Sequence, residues 1–143
     1  MRKIRVLVAT LALAAVSMAG SAGAAVAAEQ NWTWKVTGGN RIATASYTDS
    51  GDIVRVNDME KDGHSALLEV WRVGHRSGVH VYCWDSTGYD GPGVACKDAF
   101  KGTGWGANAK LKGRVCIGES GPGPKGGKIL KCQPKAGWKT FYR

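Results

Sequence analysis

The chain has 143 residues, 43% of them hydrophobic, and its 20 Lys and Arg outnumber 11 Asp and Glu to give a net charge of +9. That length allows one domain with a real core and excludes two. A long apolar run occurs only within the first 27 residues, so no later segment is suited to cross a bilayer as a helix.

The first segment reads "MRKIRVLVATLALAAVSMAGSAGAAVA". Arg2, Lys3 and Arg5 precede an apolar run from Val6 to Met18, and small residues lead to Ala25-Val26-Ala27. This layout predicts a secretory signal peptide over 1–27 and a secreted domain over 28–143. "WTWKVT" (Trp32–Thr37) alternates bulky and polar residues and predicts the first strand. "RIATASYT" (Arg41–Thr48) follows Gly38-Gly39-Asn40 as the second. "TDSGD" is a turn, and "DIVRVND" (Asp52–Asp58) is the third strand. "MEKDG" (Met59–Gly63) reads as a hairpin loop, along which "SALLEVWRV" (Ser65–Val73) returns.

"GVHVYCWD" (Gly78–Asp85) is the next strand, and the Gly-rich stretch after Cys96 reads as irregular. "AKLKGRVCIG" (Ala109–Gly118) is a convincing strand. "ESGPGPKGGK" (Glu119–Lys128) reads as a loop, because Pro lacks the ladder donor and Gly carries an entropy cost. "KILKC" and "GWKTFYR" complete the set. About eight strands at intervals of roughly 8 to 15 residues predict an all-β fold, a small disulfide-stabilised β-sandwich or barrel-like domain.

Cys83, Cys96, Cys116 and Cys132 all lie in the exported part. Four cysteines allow three connectivities, of which the local pairs Cys83–Cys96 and Cys116–Cys132 are favoured. Each closes a loop of about 12 to 15 residues, a constraint on the order of 3 kcal/mol. Zinc would need closer Cys spacings. Counted from Asp85, "DSTGYDGPG" places Tyr89 and Asp90 where a calcium loop wants an oxygen ligand and Gly, so that pattern fails. No G-x-S-x-G elbow occurs, and paired cysteines cannot act as thiolate nucleophiles. The expectation is therefore no metal, no cofactor and no enzyme.

Charge is divided along the chain: residues 28–96 carry a net −3 and residues 97–143 a net +9. The basic half suits an anionic surface, a polyanion or an acidic protein. Nucleic acid is not expected for an exported chain, although Trp105, Trp138, Phe141 and Tyr142 lie among the lysines. Two loops, Trp84–Ala95 and Gly118–Lys131, are each tied by an expected disulfide and so lose little entropy on docking. Trp84 and Tyr89, with Asp90 beside them, are the candidate partner-binding residues of the first.

"ASYTDSGDIVRVNDMEKDGHSALLEV" resembles an element of small exported proteins from high-GC Gram-positive bacteria, especially streptomycetes. Gly51-Asp52 opens its strand, Asp58 closes it, and Asp62-Gly63 turns into the next. Among such proteins are the small adaptor subunits of secreted umbrella toxin particles. That resemblance implies a non-catalytic β-domain bridging other secreted proteins, with the N-terminal segment Ala28–Trp34, including Trp32 and Trp34, as further contacts. The expected function is a secreted protein-interaction module. The alternatives are an enzyme inhibitor presenting a disulfide-bracketed loop, with Lys125 as a basic anchor, and a cell-wall or carbohydrate binder.

Overall fold

Indole rings on a strand need a neighbouring strand that gives up volume to them, and the chain supplies one at once. The computed structural model describes residues 29–35, 41–122 and 125–143. In it β1 (Gln30–Lys35) runs antiparallel to β2 (Arg41–Thr48), with Trp32 opposite Ala45 and Trp34 opposite Ala43. The Asp49–Asp52 turn leads from β2 into β3 (Ile53–Asp58). The second sheet is centred on β4 (Ser65–Arg72), flanked by β5 (His80–Asp85) and β7 (Lys110–Ser120). A short β6 (Val94–Cys96) pairs with β3, so the first sheet has the order β1-β2-β3-β6. On its far side β7 pairs with β8 (Gly127–Cys132) near one end and β9 (Lys139–Tyr142) near the other.

The fold is thus an all-β sandwich of two antiparallel sheets, as the turn spacing predicts. The described residues form nine strands, one more than expected: β6 is the addition. Trp32, Trp34, Tyr47, Val54 and Val56 face inward from the first sheet; Leu68, Val70, Leu111, Val115 and Phe141 meet them from the second. Phe100 and Trp105, from the irregular stretch after Cys96, plug one end of this core. Ring contacts run from Trp32 to Phe141 at 5.4 Å, Phe141 to Tyr47 at 4.8 Å, Tyr47 to Phe100 at 5.5 Å and Phe100 to Trp105 at 5.4 Å. Such pairs add about 0.5–1.5 kcal/mol each beyond their buried area. At this end the Arg143 guanidinium grips the Asp52 carboxylate at 2.6 Å and also donates to the Trp105 carbonyl, tying down the C-terminus.

Several expectations need correction. Met59–His64 does not close a hairpin: β3 and β4 lie in different sheets, and this loop carries the chain across the sandwich. "ESGPGPKGGK" is not wholly a loop, since Glu119 pairs with Lys128 and Ser120 with Gly127. The strands continue because Gly118 lets them close up, a Cβ there lying 2.2 Å from the Lys128 carbonyl oxygen. Trp32 and Trp34, expected as contacts, are core residues, 1% and 5% exposed. The signal peptide, Ala28, the end of the first expected strand at Val36-Thr37, and Gly38-Gly39-Asn40 lie outside the described residues.

The disulfides join as the local spacing favours. Cys83–Cys96 ties β5 to β6 and hence one sheet to the other; Cys116–Cys132 joins register partners on β7 and β8. One glycine is fixed by packing alone. A Cβ on Gly113 would meet the Trp32 ring at 3.0 Å, and the Trp32 indole N–H donates to the Gly113 carbonyl at 3.2 Å. Gly113→Ala should therefore destabilise the domain by about 1–3 kcal/mol through overpacking. In a Trp32→Ala background, itself costing about 3–5 kcal/mol, the same change should be close to neutral. Urea unfolding of the four proteins measures the coupling; additive effects would contradict this packing.

Candidate functional site

The segment from Cys83 to Cys96 is organised by one carboxylate. Strand alternation turns Asp85, the last residue of β5, inward like Cys83, and it is 0% exposed. Its Oδ2 accepts the Asp58 amide at 2.8 Å; its Oδ1 accepts the Thr87 amide at 2.9 Å and the Thr87 hydroxyl at 2.6 Å. A carboxylate leaves water only with such donors, and bonds to a charged acceptor are roughly twice as strong as neutral ones. At the other end of the loop, Gly93 has a φ of 72°, and a Cβ there would lie 2.7 Å from the Val56 carbonyl oxygen. Glycine alone suits both the backbone angle and the close approach.

Between these supports the loop presents Tyr89, 48% exposed, and the exposed Asp90. Two shallow clefts flank the tyrosine. One of roughly 390 Å³ lies toward Asp58, Glu60, His64 and Thr87, and one of roughly 420 Å³ toward Arg41, Met59 and Lys61. The sheet-crossing loop and the disulfide loop together put Asp58, Glu60, Asp62, Asp85 and Asp90 at one end of the sandwich. Tyr89 and Asp90 therefore come together as expected, whereas Trp84 takes another role. Half-buried, it donates its indole N–H to the Lys125 carbonyl at 2.6 Å and packs on Gly126, where a Cβ would sit 2.9 Å from the ring. Trp84 braces the β7–β8 hairpin instead of standing free as an anchor.

A second site lies on the outward face of the sheet centred on β4. The registers align Glu69 with Tyr82 and Arg114, and Trp71 with His80 and Lys112. Glu69, 4% exposed, is shared by the His80 Nδ1 at 2.7 Å and the Arg114 Nε at 2.6 Å. His80 Nε2 faces the Arg76 carbonyl, and the ring stacks on Trp71 at 5.8 Å. Trp138 meets Trp71 edge-on at 5.3 Å. Around Trp138 stand Arg76 at 5.1 Å, Arg114 at 5.4 Å and Lys112 at 5.7 Å from the ring centroid, within cation–π range. Burial, with Glu69 adding, raises Tyr82 above its ordinary pKa. The basic half of the sequence points to Lys112, Arg114 and Trp138; it gives no sign of Glu69, Trp71, Arg76 or His80. Their signal lies in "LLEVW", a buried strand with Glu and Trp at alternate positions, both on the side away from the core.

Among the described residues, one set of Cys, His, Asp or Glu atoms lies close enough together to hold a metal: Glu69, Cys116 and Cys132. The two sulfurs are bonded to each other and offer no thiolate. The carboxylates around Tyr89 form no such set. The chain matches no protein-family model, and comparisons with curated proteins and with solved structures found no match.

Asp58 records the electrostatic cost of the acidic end. It is 3% exposed; its Oδ1 accepts the Glu60 amide at 3.1 Å, and Oδ2 has no partner among the described residues. Burial, with the Asp62, Asp85 and Glu60 carboxylates adding, raises its pKa despite that hydrogen bond. A raised folded-state pKa gives stability that is complete below the unfolded value, about 4, and is lost as pH rises through the folded value. Asp58→Asn keeps the acceptor and cannot ionise. Its Tm relative to the parent chain should therefore increase from pH 3 to pH 7. A difference independent of pH would contradict the assignment.

Proposed function

We propose that this chain is an exported, non-enzymatic protein-binding module whose principal contact is the loop end around Tyr89. The observation that carries this reading is the rigid presentation of a half-exposed tyrosine between two clefts. The loop is fixed at one end by the buried Asp85 carboxylate and closed by the Cys83–Cys96 bond. A loop already in its bound shape loses little entropy on docking, and Tyr is among the residues favoured at binding hot spots. The carboxylates of Glu60, Asp62 and Asp90 select a partner with a basic rim and repel acidic ones. Export rests on the signal-like segment 1–27 and is in keeping with two disulfides. The finer form of the proposal is an adaptor between other secreted proteins, as the resemblance to toxin-particle subunits implies.

A second reading has one specific support. The carbonyl of Lys125 is held by the Trp84 indole, so an exposed lysine is presented on a braced loop, as an inhibitor of a basic-specific protease would need.

Tagged chain recovered from culture supernatant should carry another exported protein at fixed stoichiometry. Tyr89→Ala should weaken that association by about thirtyfold or more, the scale of a hot-spot residue, without changing Tm. Recovery of the parent chain alone would sink the adaptor reading. Stoichiometric titration of a trypsin-like protease, lost in Lys125→Ala and kept in Tyr89→Ala, would replace it with the inhibitor.

A further inference from the structure

We propose that the outward face of the β4-centred sheet is a second binding site, for a flexible polyol-phosphate chain of a cell surface. It is independent of the loop end. On β7 the even-numbered residues Lys110, Lys112 and Arg114 face outward, spaced at about 7 Å by the strand's two-residue repeat. The β4–β5 turn adds Arg76 from the other side. Glu69 is the one outward-facing carboxylate on the described strands of this face, and it is buried and already shared by His80 and Arg114. Among the described residues Arg76, Lys110 and Lys112 have no ion-pair partner. Arg76 and Lys112 are instead held against the Trp138 ring, which fixes them before any ligand arrives.

The arrangement of the rings narrows the chemistry. Nucleic-acid strands need free aromatic surfaces on which successive bases stack, and sugar stacking makes the same demand. Here Trp71 is 3% exposed and covered by His80, Arg76 and Arg114, while Trp138 has three cations around it. Tyr142, paired with Lys110 at the edge, is the more exposed ring of this face, at 55%, and a lone ring cannot stack a chain. What the face offers is positive charge at regular spacing, including a guanidinium fork suited to phosphate oxygens. A phosphodiester chain without bases or sugar rings meets that description.

The test uses the full exported chain and synthetic poly(glycerol phosphate), with binding followed by tryptophan fluorescence at increasing NaCl. The parent should bind and lose affinity as salt rises. Arg76→Gln/Lys112→Gln should bind about tenfold or more weakly, with the near-ultraviolet circular dichroism of the parent. Tyr89→Ala should bind like the parent, which separates this site from the loop-end proposal. Lack of binding by the parent would overturn the inference, as would a doubly substituted chain that binds unchanged. Equal or tighter binding to oligo(dT) of matched charge, to hyaluronate, or to phosphatidylglycerol vesicles would also overturn it, moving the face to nucleic acid, acidic polysaccharide or membrane respectively.

Discussion

The buried carboxylate of Asp85 is the interaction on which the Tyr89 end of the molecule depends. It closes β5 in one sheet, takes the backbone amide that ends β3 in the other, and holds the first turn of the disulfide loop. Leaving such a buried group unpaired costs about 1–3 kcal/mol, and more for a charged one, a large share of the roughly 5–15 kcal/mol that holds a domain together. The neighbouring Cys83–Cys96 bond crosses between the same sheets. Loop shape and sheet packing are therefore coupled at this end. The ends of β3 and β5 cannot separate without disturbing the base of the loop that bears Tyr89.

Strand alternation then separates the molecule's charges. Inward positions of the β4-centred sheet build the core, so the basic residues of β7 are confined to the opposite face, where Trp71 and Trp138 hold them in place. Five of the eleven acidic residues, Asp58, Glu60, Asp62, Asp85 and Asp90, collect at the Asp58–Asp85 end. A small domain thereby carries two surfaces of opposite sign. Two surfaces of opposite sign suit a module that bridges dissimilar partners, and each is preorganised by a different device: a buried carboxylate for the loop, cation–ring contacts for the sheet.

Much of this is legible in the sequence, and the failures have physical causes. β2 runs from Arg41 to Thr48 as its alternation predicts, because a clean turn follows it. The disulfides follow from local spacing. The Met59–Gly63 segment misleads because Asp-Gly serves a hairpin and a crossing between sheets equally well; what decides is that β4 needs neighbours on both edges. β6 is three residues held by register with β3 and a disulfide, too short for a periodic signal. Trp32 and Trp34 alternate as a strand should, and the alternation does not say which side is covered. Ala43 and Ala45 opposite them carry that information, together with Gly113 across the core. The aromatic-cationic face was half visible, since composition reveals the lysines and Trp138, whereas the buried Glu69 that organises it acts through contacts distant in sequence.

The Tyr89 loop owes its fixed shape to Asp85, which binds it into the fold. Amide hydrogen exchange of the domain over residues 28–143 measures this directly, since protected amides report the free energy of the opening that exposes them. The Thr87 and Asp58 amides should exchange as slowly as that of Leu68 in the centre of β4, through opening of the whole domain. Rapid exchange at Thr87 beside a protected Leu68 would show the loop opening on its own, and would contradict a preorganised binding surface.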